Sequence, residues 1–407
     1  MAADFDVIVA GGGPAGSLSA YRLASAGLRV LVVDAARFPR DKACGGGVQT
    51  RAFRHIPFDW RRAVHQELNE FSLSFDLLPQ FTRGSSKALV LSVLRTEFDA
   101  LLMDAARSAG AEALLGTRIS GVEFAAGEPV RVRTGAGDFT AKYLVGADGA
   151  NSVVGARINR RPSFFWQVAL YCEVPRELMI EENAPDGRMV VDWGSLPSGY
   201  GWVFPKGGTV NVGVGAPVAI GKSLRPYLSQ FVGAQKLFRD DGERKVSFKG
   251  HQLPTLTRRT RFGHENVLLV GDAAGLIDPL TGEGISNACH SADLAAQAIL
   301  ASHNNGHSAM HFYERTLRHE IVPDILHSRQ LLSLSVAFPR RVLRIFEHDE
   351  LVWAAFCKTL RGDATFLELL ETITSNLGVL AGPVRKIAGY WEALRMHRFQ
   401  GKLAQLS

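Results

Sequence analysis

The first part of the chain has the pattern of strand, turn, helix and strand. Residues 7–10 (VIVA) are an unbroken apolar run, which is typical of a parallel strand buried on both faces. A glycine-rich turn, a helix-type segment and a second apolar run that ends in Asp34 follow directly. Two later apolar runs, 143–145 and 267–270, also lead into turns of small residues. This pattern predicts an α/β domain with a parallel sheet, built from separated stretches of the chain.

The middle of the chain has a different pattern, in which apolar and polar residues alternate over short stretches. These stretches are FFWQVALYCEVP (164–175), RMVVDWG (188–194), GYGWVFPK (199–206) and TVNVGVG (209–215). Alternation with a period of two is typical of antiparallel strands. In the third stretch Tyr200, Trp202 and Phe204 occupy alternate positions, so we expect them on one face of a strand. We expect Pro205 and the glycine pair behind it to end this strand, and the fourth stretch to return as its hairpin partner.

The turn after the first strand has the spacing G-x-G-x-x-G. Its residues are Gly11, Gly13, Pro14, Ala15 and Gly16. The first glycine permits the turn, the second lets the backbone approach a pyrophosphate, and the third lets the helix pack on the strand. The free N–H groups at the start of the helix favour phosphate, and the Asp34 carboxylate can accept hydrogen bonds from a ribose. The first forty residues therefore predict a dinucleotide-binding site.

Two later stretches distinguish FAD from a nicotinamide dinucleotide. YLVGADGANS places Asp148 after an apolar run, and VLLVGDAAGLIDPLTGEGIS places Asp272 after another. In the second stretch the candidate cofactor-binding residues are Gly271, Asp272, Gly282, Gly284 and Ile285. Asp272 can accept from a ribityl hydroxyl, and the N–H groups of residues 281–285 can face a phosphate or the electron-rich end of a flavin ring. A nicotinamide dehydrogenase needs no such second anchor, whereas the longer FAD does, so FAD is the predicted cofactor.

Composition and charge narrow the classes of function. No apolar run is long enough to span a bilayer, and the amino terminus lacks the basic region of a signal peptide. The four cysteines have no C-x-x-C spacing, so we expect reduced thiols, no metal site and a cytoplasmic location. Lys and Arg exceed Asp and Glu by 46 − 40 = 6, which leaves peripheral contact with the cytoplasmic side of a membrane open. No motif indicates a nucleic-acid partner, and none indicates a partner protein.

Four motifs occur in the order GGGPAG, LRTEFDALL (94–102), GADGANS and GDAAG–DPLTGEGI. In this order they resemble the class A flavoprotein monooxygenase fold. The resemblance implies that Arg95 lies near the FAD pyrophosphate or the flavin edge and that Asp272 binds the ribityl–phosphate region. The fold class we expect is α/β plus antiparallel β: a Rossmann-type FAD-binding domain, an inserted antiparallel-sheet substrate domain and a helical carboxyl-terminal region. The expected boundaries are 1–70, 88–160 and 260–302 for the first, 71–87 and 161–259 for the second, and 303–407 for the third.

The segment FPRDKACGGGV (38–48) separates the branches of this fold. Flavin-dependent halogenases share FPR but continue into Gly-Glu-Ser, and aromatic hydroxylases lack the cysteine and the triple glycine. Together with the Tyr-x-Trp-x-Phe-Pro motif at 200–205, FPR-x-K-x-CGGG resembles the geranylgeranyl reductase family. This resemblance implies FAD-dependent reduction of isolated C=C bonds in isoprenoid chains, with Tyr200, Trp202, Phe204 and Pro205 as substrate-binding residues.

The triple glycine has a physical rationale beside a flavin. Gly45, Gly46 and Gly47 provide a wall without side chains, across which a bulky alkyl chain can lie on the flavin face. Cys44 can be a proton donor, a redox partner or a packing residue, and these roles stay open. Lys42 can balance flavin or phosphate charge, or it can be a solvated loop lysine.

Three questions stay open in the sequence. No second complete G-x-G-x-x-G occurs, so the reductant is either NADPH or NADH, docking transiently, or a ferredoxin-like donor. The alternative functions are a monooxygenase or halogenase on an apolar substrate and an FAD-containing prenyl-lipid binding protein. Lys206 and the arginines of RRVLRIF (340–346) are candidates for contacts with a lipid headgroup, although that stretch also fits a helix with one solvated side.

Overall fold

A computed structural model of the chain describes residues 3–159, 163–180, 185–239 and 246–377, together with residues 396, 399 and 400. The strands are β1 (Phe5–Ala10), β2 (Val30–Asp34), β3 (Gly47–Gln49), β4 (Val64–Leu68), β5 (Glu70–Phe75), β6 (Leu78–Gly84), β7 (Val90–Val93), β8 (Glu112–Leu115), β9 (Ile119–Glu123), β10 (Val130–Thr134), β11 (Gly137–Gly146), β12 (Phe164–Pro175), β13 (Arg188–Trp193), β14 (Tyr200–Lys206), β15 (Thr209–Pro217), β16 (Lys249–Leu256), β17 (Gly263–His264) and β18 (Val267–Leu269). The α-helices are α1 (Pro14–Ser25), α2 (Arg95–Ser108), α3 (Val153–Ile158), α4 (Leu224–Ala234), α5 (Ile285–Asn305), α6 (Ala309–Glu320), α7 (Val322–Ala337), α8 (Pro339–His348), α9 (Glu350–Arg361) and α10 (Phe366–Asn376).

The centre of the first sheet, strands β18-β11-β1-β2-β8, is the parallel sheet that the apolar runs predict, and antiparallel strands flank it. The strand order of the whole sheet is β17-β18-β11-β1-β2-β8, and β10 and β9 continue from β11. β1 pairs in parallel with β11 and β2, which places Val7 level with Tyr143 and Val30. Residues 7–10 of β1 are fully buried, as an unbroken apolar run requires in a central parallel strand. α1 leaves β1 through the glycine turn and packs against α2 and α5. The predicted Rossmann-type fold is confirmed.

The second sheet is largely antiparallel, with the strand order β16-β12-β15-β14-β13-β5-β6. Among the pairings that the described residues make in this sheet, only that of β13 with β5 is parallel. The hairpin predicted for the aromatic strand is confirmed, since β14 pairs with β15 and Lys206 is level with Thr209. The strand ends at Lys206, directly before the glycine pair, as expected, although Pro205 lies inside β14 and not at its end. β14 continues to Lys206 because its pairing with β13 stops at Val203, so no neighbouring strand on that side needs an N–H from Pro205.

A third, small sheet has the order β3-β7-β4 and was not predicted from the sequence. β3 begins at Gly47, so the last glycine of the CGGG run is already paired, level with Ser92 of β7. This sheet fixes the run at its carboxyl end. α2 begins soon after β7, at Arg95.

The chain is helical from α5 onward as far as residue 377, as predicted, and residues 378–395 lie outside the described part. α7, α8, α9 and α10 share an apolar core that includes Leu331, Val352, Phe366 and Ile373. Within the described residues, no helix combines the length and the apolar composition that crossing a membrane requires.

Candidate active site

A cavity of about 590 Å³ begins at the glycine turn of β1 and extends to the carboxyl-terminal helices. Most residues that the sequence assigns to the site line this cavity. They are Gly11, Gly13, Pro14, Ala15, Asp34, Lys42, Cys44, Gly45, Gly46, Gly47, Arg95, Asp148, Tyr200, Trp202, Phe204, Gly271, Asp272, Gly282, Gly284 and Ile285. Gly16 and Pro205 are not among its lining residues. Motifs that are distant in the sequence therefore meet at one site.

The glycine turn has the geometry that its spacing predicts. Gly11 has φ +97°, and a Cβ on it would lie 2.4 Å from the carbonyl oxygen of Ala147. A Cβ on Gly16 would lie 1.8 Å from the carbonyl oxygen of Gly11, so this glycine serves the packing of α1 on β1. Asp34 accepts a hydrogen bond from the Gly12 N–H at 2.7 Å, which ties β2 to the turn. Its carboxylate keeps lone pairs for a further donor.

Arg40 is a site residue that the sequence reasoning missed. Its Nη2 forms an ion pair with Asp99 at 2.9 Å and lies 3.6 Å from the place where a Cβ on Gly13 would be. Its other terminal nitrogen, Nη1, is buried and has no hydrogen-bond partner among the described residues. A buried guanidinium with a free donor beside the N-terminus of α1 fits the pyrophosphate of a dinucleotide. Arg40 is the arginine of the FPR stretch, which the sequence analysis used to compare families without assigning a role to this side chain.

Asp99 of α2 also holds Arg95. Arg95 Nε and Nη2 each lie 2.7 Å from a different oxygen of Asp99, whose side chain is fully buried. Burial acts to lower the pKa of Arg95, but Asp99 and Cys44 outweigh this effect and raise it above its usual value. One carboxylate thus fixes two guanidinium groups at the cavity wall.

Asp148 lines the cavity, but its carboxylate serves α3. It accepts hydrogen bonds from the N–H groups of Val153 at 2.6 Å and Val154 at 3.1 Å, and from the Ser152 hydroxyl. Burial raises the pKa of Asp148, and these hydrogen bonds oppose the shift. The Asp148 carboxylate is therefore engaged by the start of α3, and the expected cofactor contact of this residue stays a prediction.

The turn before α5 is held by the residues of DPLTGEG themselves. The Thr281 N–H donates to Asp278 Oδ1 at 2.7 Å, and the Glu283 N–H donates to the Thr281 hydroxyl. The Gly282 N–H donates to the Asp278 carbonyl oxygen at 2.9 Å. The expectation that all N–H groups from 281 to 285 face a ligand is therefore too broad. At the start of α5, the N–H groups of residues 284 and 285 meet no acceptor in the described part of the chain, as is typical of a helix N-terminus.

A cluster of titratable side chains from four parts of the chain lines the cavity. Lys42 Nζ is 3.2 Å from His251 Nε2 of β16, a residue that the sequence reasoning did not single out. Burial lowers the pKa of Lys42, although the nearby carboxylate of Asp272 opposes the shift. Burial, with Lys42 and Arg95, lowers the pKa of His251 to about 4, so this imidazole is neutral near pH 7. Lys42 is a cavity residue and not a solvated loop lysine.

The aromatic residues of β14 share one face and line the cavity, as the period of two predicts. The rings of Trp202 and Phe204 are stacked with centroids 6.3 Å apart, and Tyr200 lies 5.8 Å from Trp202. The Tyr200 hydroxyl donates a hydrogen bond to the carbonyl oxygen of Thr281 in the turn before α5. Pro205 is buried on the opposite face of the strand, away from the cavity, because successive side chains alternate.

The CGGG run packs directly against this aromatic face. A Cβ on Gly45 would lie 3.4 Å from Phe204 and Trp202, and one on Gly47 would lie 3.2 Å from Phe204. Gly46 has φ +71°, and its Cβ would lie 2.6 Å from Lys206 Nζ. The missing side chains therefore point at β14. The run needs glycine for close packing on the second sheet, in addition to any role as a bare wall toward a ligand.

Lys206 is not available to a headgroup. Its side chain is 2% exposed, and its Nζ lies 2.6 Å from Glu173 Oε1 of β12. The same Glu173 oxygen accepts from Asn211 Nδ2 at 2.8 Å, and Trp202 Nε1 donates to Asn211 Oδ1 at 2.6 Å. Asn211 Nδ2 also lies 3.4 Å from the Cys44 carbonyl oxygen. This buried network links the aromatic face to the CGGG run.

Lys206→Met is expected to lower the free energy of unfolding by about 3 kcal/mol, because it leaves Glu173 without its cation. This loss is at the low end of the range for breaking a buried ion pair, because the Glu173 side chain is 35% exposed. Thermal unfolding of the FAD-loaded protein measures the loss. The double variant Lys206→Met/Glu173→Gln should recover part of it. Lys249→Met, which breaks only the exposed pair with Asp41, should cost less than about 1 kcal/mol. An unchanged thermal unfolding midpoint for Lys206→Met would contradict a stabilising role of the Lys206–Glu173 ion pair.

The far end of the cavity is apolar. On one side it is lined by residues of the second sheet, including Phe71, Met189 and Trp193. On the other side it is lined by α7–α10, with Leu343, Phe346 and other large apolar side chains. Sequence reasoning identified the carboxyl-terminal region as helical but missed its part in the site. The available signal was the 3.6-residue apolar period of residues 342–346.

The glycine turn, the buried Arg40 and the second anchor before α5 define an FAD-dependent oxidoreductase. Residues 4–165 match the family model described as an FAD binding domain. The chain is 34% identical to a menaquinone reductase of Mycolicibacterium smegmatis, over 72% of this chain and 76% of that protein. It is 32% identical to a geranylgeranyl diphosphate reductase of Rhodobacter capsulatus, over 75% of this chain and 77% of that protein.

The chain belongs to the geranylgeranyl reductase family of FAD-dependent oxidoreductases. It is also 30% identical to a digeranylgeranylglycerophospholipid reductase of Methanosarcina mazei, over 79% of this chain and 82% of that protein. The solved structure of a geranylgeranyl bacteriochlorophyll reductase-like protein from Thermoplasma acidophilum has the same fold, with a TM-score of 0.73 and 23% sequence identity. The match covers 92% of this chain and 98% of that chain.

Proposed function

We propose that this protein reduces isolated C=C bonds of an isoprenoid chain. The observation that carries the proposal is the continuity of the cavity, which begins at the dinucleotide turn and ends in the apolar chamber between the second sheet and α7–α10. Burial of each methylene group contributes roughly 0.8 kcal/mol, so such a chamber favours a long alkyl chain over a small polar substrate. The names of the relatives support this class, because menaquinone, geranylgeranyl diphosphate and digeranylgeranylglycerophospholipid all carry prenyl chains.

We propose cofactor-binding residues on the basis of the cavity lining and the contacts described above. Gly13 and Arg40 would hold the FAD pyrophosphate, Asp34 the ribose, Asp272 the ribityl chain, and the N-terminus of α5 the flavin end. When bound and reduced, FAD supplies the hydride. The chain's own residues orient the substrate and exclude water. Either NADPH or NADH, docking transiently, or a ferredoxin-like donor would reduce the flavin.

The substrate residues are proposed on the same basis. Trp202 and Phe204, with the CGGG run packed against them, would form the wall beside the reacting double bond. The apolar chamber would hold the rest of the chain. We propose that the two domains expected from the sequence have separate functions. Residues 1–70, 88–160 and 260–302 would bind FAD, and residues 71–87 with 161–259 would bind the substrate. The helices between residues 303 and 377 would close the chamber, since α7–α10 line its apolar end.

Anaerobic turnover tests the proposal. The FAD-loaded protein is reduced with dithionite, so no physiological donor is needed, and is then mixed without oxygen with geranylgeranyl diphosphate, a menaquinone or a digeranylgeranyl glycerolipid. We expect a gain of two hydrogens per reduced double bond, detected by mass spectrometry. Dithionite and each lipid without the protein are the control; because dithionite alone can reduce a quinone ring, only hydrogens gained in the prenyl chain count as product. Because the substrate is consumed without oxygen, the same product cannot come from an oxygenase.

Two outcomes would contradict the proposal. A product that forms only with oxygen and contains an added oxygen or halogen atom would favour the monooxygenase or halogenase. Tight binding of the lipids with no mass gain on any of them would favour a prenyl-lipid binding protein.

A further inference from the structure

α8 has two opposite faces with different roles. At 100° per residue, Val342, Leu343 and Phe346 fall on one side of this helix, and all three line the apolar end of the cavity. Arg340, Arg341 and Arg344 fall on the other side and are exposed. A single helix, about 10 Å across, therefore separates the proposed substrate chamber from a strongly basic surface.

The arginines of α8 are free to bind an external anion. No ion pair joins any of the three to a carboxylate among the described residues. Arg341 and Arg344 line a surface groove of about 490 Å³, together with His348. The carboxylate in the groove, Asp349, accepts a hydrogen bond from the Val352 N–H at 2.9 Å and so caps α9. The remaining lining residues, Ile345, Asn376 and Leu377, carry no charge.

We propose that the exposed face of α8 docks on an anionic phospholipid bilayer, with lipid phosphates bound by Arg341 and Arg344 in the groove. The inference rests on the proposed function, since a prenyl lipid is a substrate that a bilayer holds. Guanidinium groups bind phosphate through paired hydrogen bonds, and the charge of this face is complementary to an anionic surface. The apolar face of α8 already forms the chamber wall, so the chamber is brought close to the membrane.

Vesicle sedimentation of the full FAD-loaded chain tests the docking. We expect binding to phosphatidylcholine vesicles that contain phosphatidylglycerol, little binding to phosphatidylcholine alone, and loss of binding in high salt. Replacing three surface arginines should weaken binding by about a hundredfold at low salt. The test variant is Arg340→Gln/Arg341→Gln/Arg344→Gln. The control variant, Arg107→Gln/Arg258→Gln/Arg259→Gln, removes the same charge from exposed positions elsewhere and should bind nearly as well as the unaltered chain.

A second arm separates docking from catalysis. The same prenyl lipid is offered in anionic vesicles and in neutral detergent micelles. We expect the α8 variant to lose turnover in vesicles and to keep it in micelles, whereas the control variant keeps both. Failure of the unaltered chain to sediment with anionic vesicles, or an α8 variant that sediments like the control, overturns the docking proposal. Absence of reduction in both media, with sedimentation as expected, overturns the proposed function and leaves the docking supported.

Discussion

Asp99→Asn is expected to lower the free energy of unfolding by about 3–5 kcal/mol and to remove most of the bound FAD. The Asp99 side chain is fully buried and lies within 2.9 Å of both Arg40 and Arg95. Asparagine keeps the shape but not the charge, so two buried guanidinium groups lose their counter-ion. Arg40 would then move from the N-terminus of α1, where we propose that it meets the pyrophosphate.

The matched control for Asp99 lies two residues earlier on α2. Glu97→Gln removes the carboxylate from a 2.8 Å contact with His65 Nε2, but the Glu97 side chain is 51% exposed, so the expected cost is below about 1 kcal/mol. Thermal unfolding and the ratio of FAD absorbance to protein absorbance measure both variants. If Asp99→Asn unfolds at the same temperature as Glu97→Gln and retains its FAD, the shared carboxylate does not hold the site together.

The features that sequence predicted well are those set by local spacing. The glycine turn depends on residues within one strand–helix junction, and each glycine there has a steric reason that spacing alone expresses. The aromatic face of β14 depends only on the period of a strand. In both cases the physical constraint acts within a few neighbouring residues, so the feature can be predicted from one sequence alone.

The features that sequence missed depend on contacts between distant segments. His251 reaches Lys42 across 209 residues of chain, and no pattern near either residue indicates the pairing. The link between Asp99 and Arg40 likewise joins a helix to a loop after β2. Residues 342–346 have a visible helical period, but which surface their apolar side covers is decided by the packing of α7–α10 on the second sheet. Chain topology, rather than residue type, determines these contacts.

The CGGG run lies between these two cases. The sequence indicated why glycine is needed but not which neighbour requires it. A bare wall toward a ligand would make the three glycines roughly equivalent. The packing against β14 makes them unequal, because only Gly46 combines a positive φ with two close neighbours. Substitution by alanine distinguishes the two explanations.

Gly46→Ala is expected to be the most damaging of the three substitutions. A Cβ on Gly46 would lie 2.4 Å from the Val93 carbonyl oxygen and 2.6 Å from Lys206 Nζ. The left-handed backbone of an L-residue costs about 1–2 kcal/mol, and overpacking in a filled site costs about 1–3 kcal/mol more. Any shift of the run would also break the hydrogen bond from the Val93 N–H to the Gly46 carbonyl oxygen, 2.8 Å long. We therefore expect a loss of about 2–5 kcal/mol together with loss of FAD.

Gly45→Ala is the control for this substitution. The Gly45 backbone does not have positive φ, and its Cβ would meet Phe204 and Trp202 at 3.4 Å, an ordinary contact distance. We expect this variant to fold, to keep its FAD and to lose at most about 1 kcal/mol. Unfolding midpoints and FAD content of the two variants are compared side by side. Equal losses of stability and FAD in the two variants would mean that the CGGG run serves as a uniform bare wall. A large loss confined to Gly46→Ala would mean that the packing of Gly46 against Lys206 and β7 fixes the position of the run.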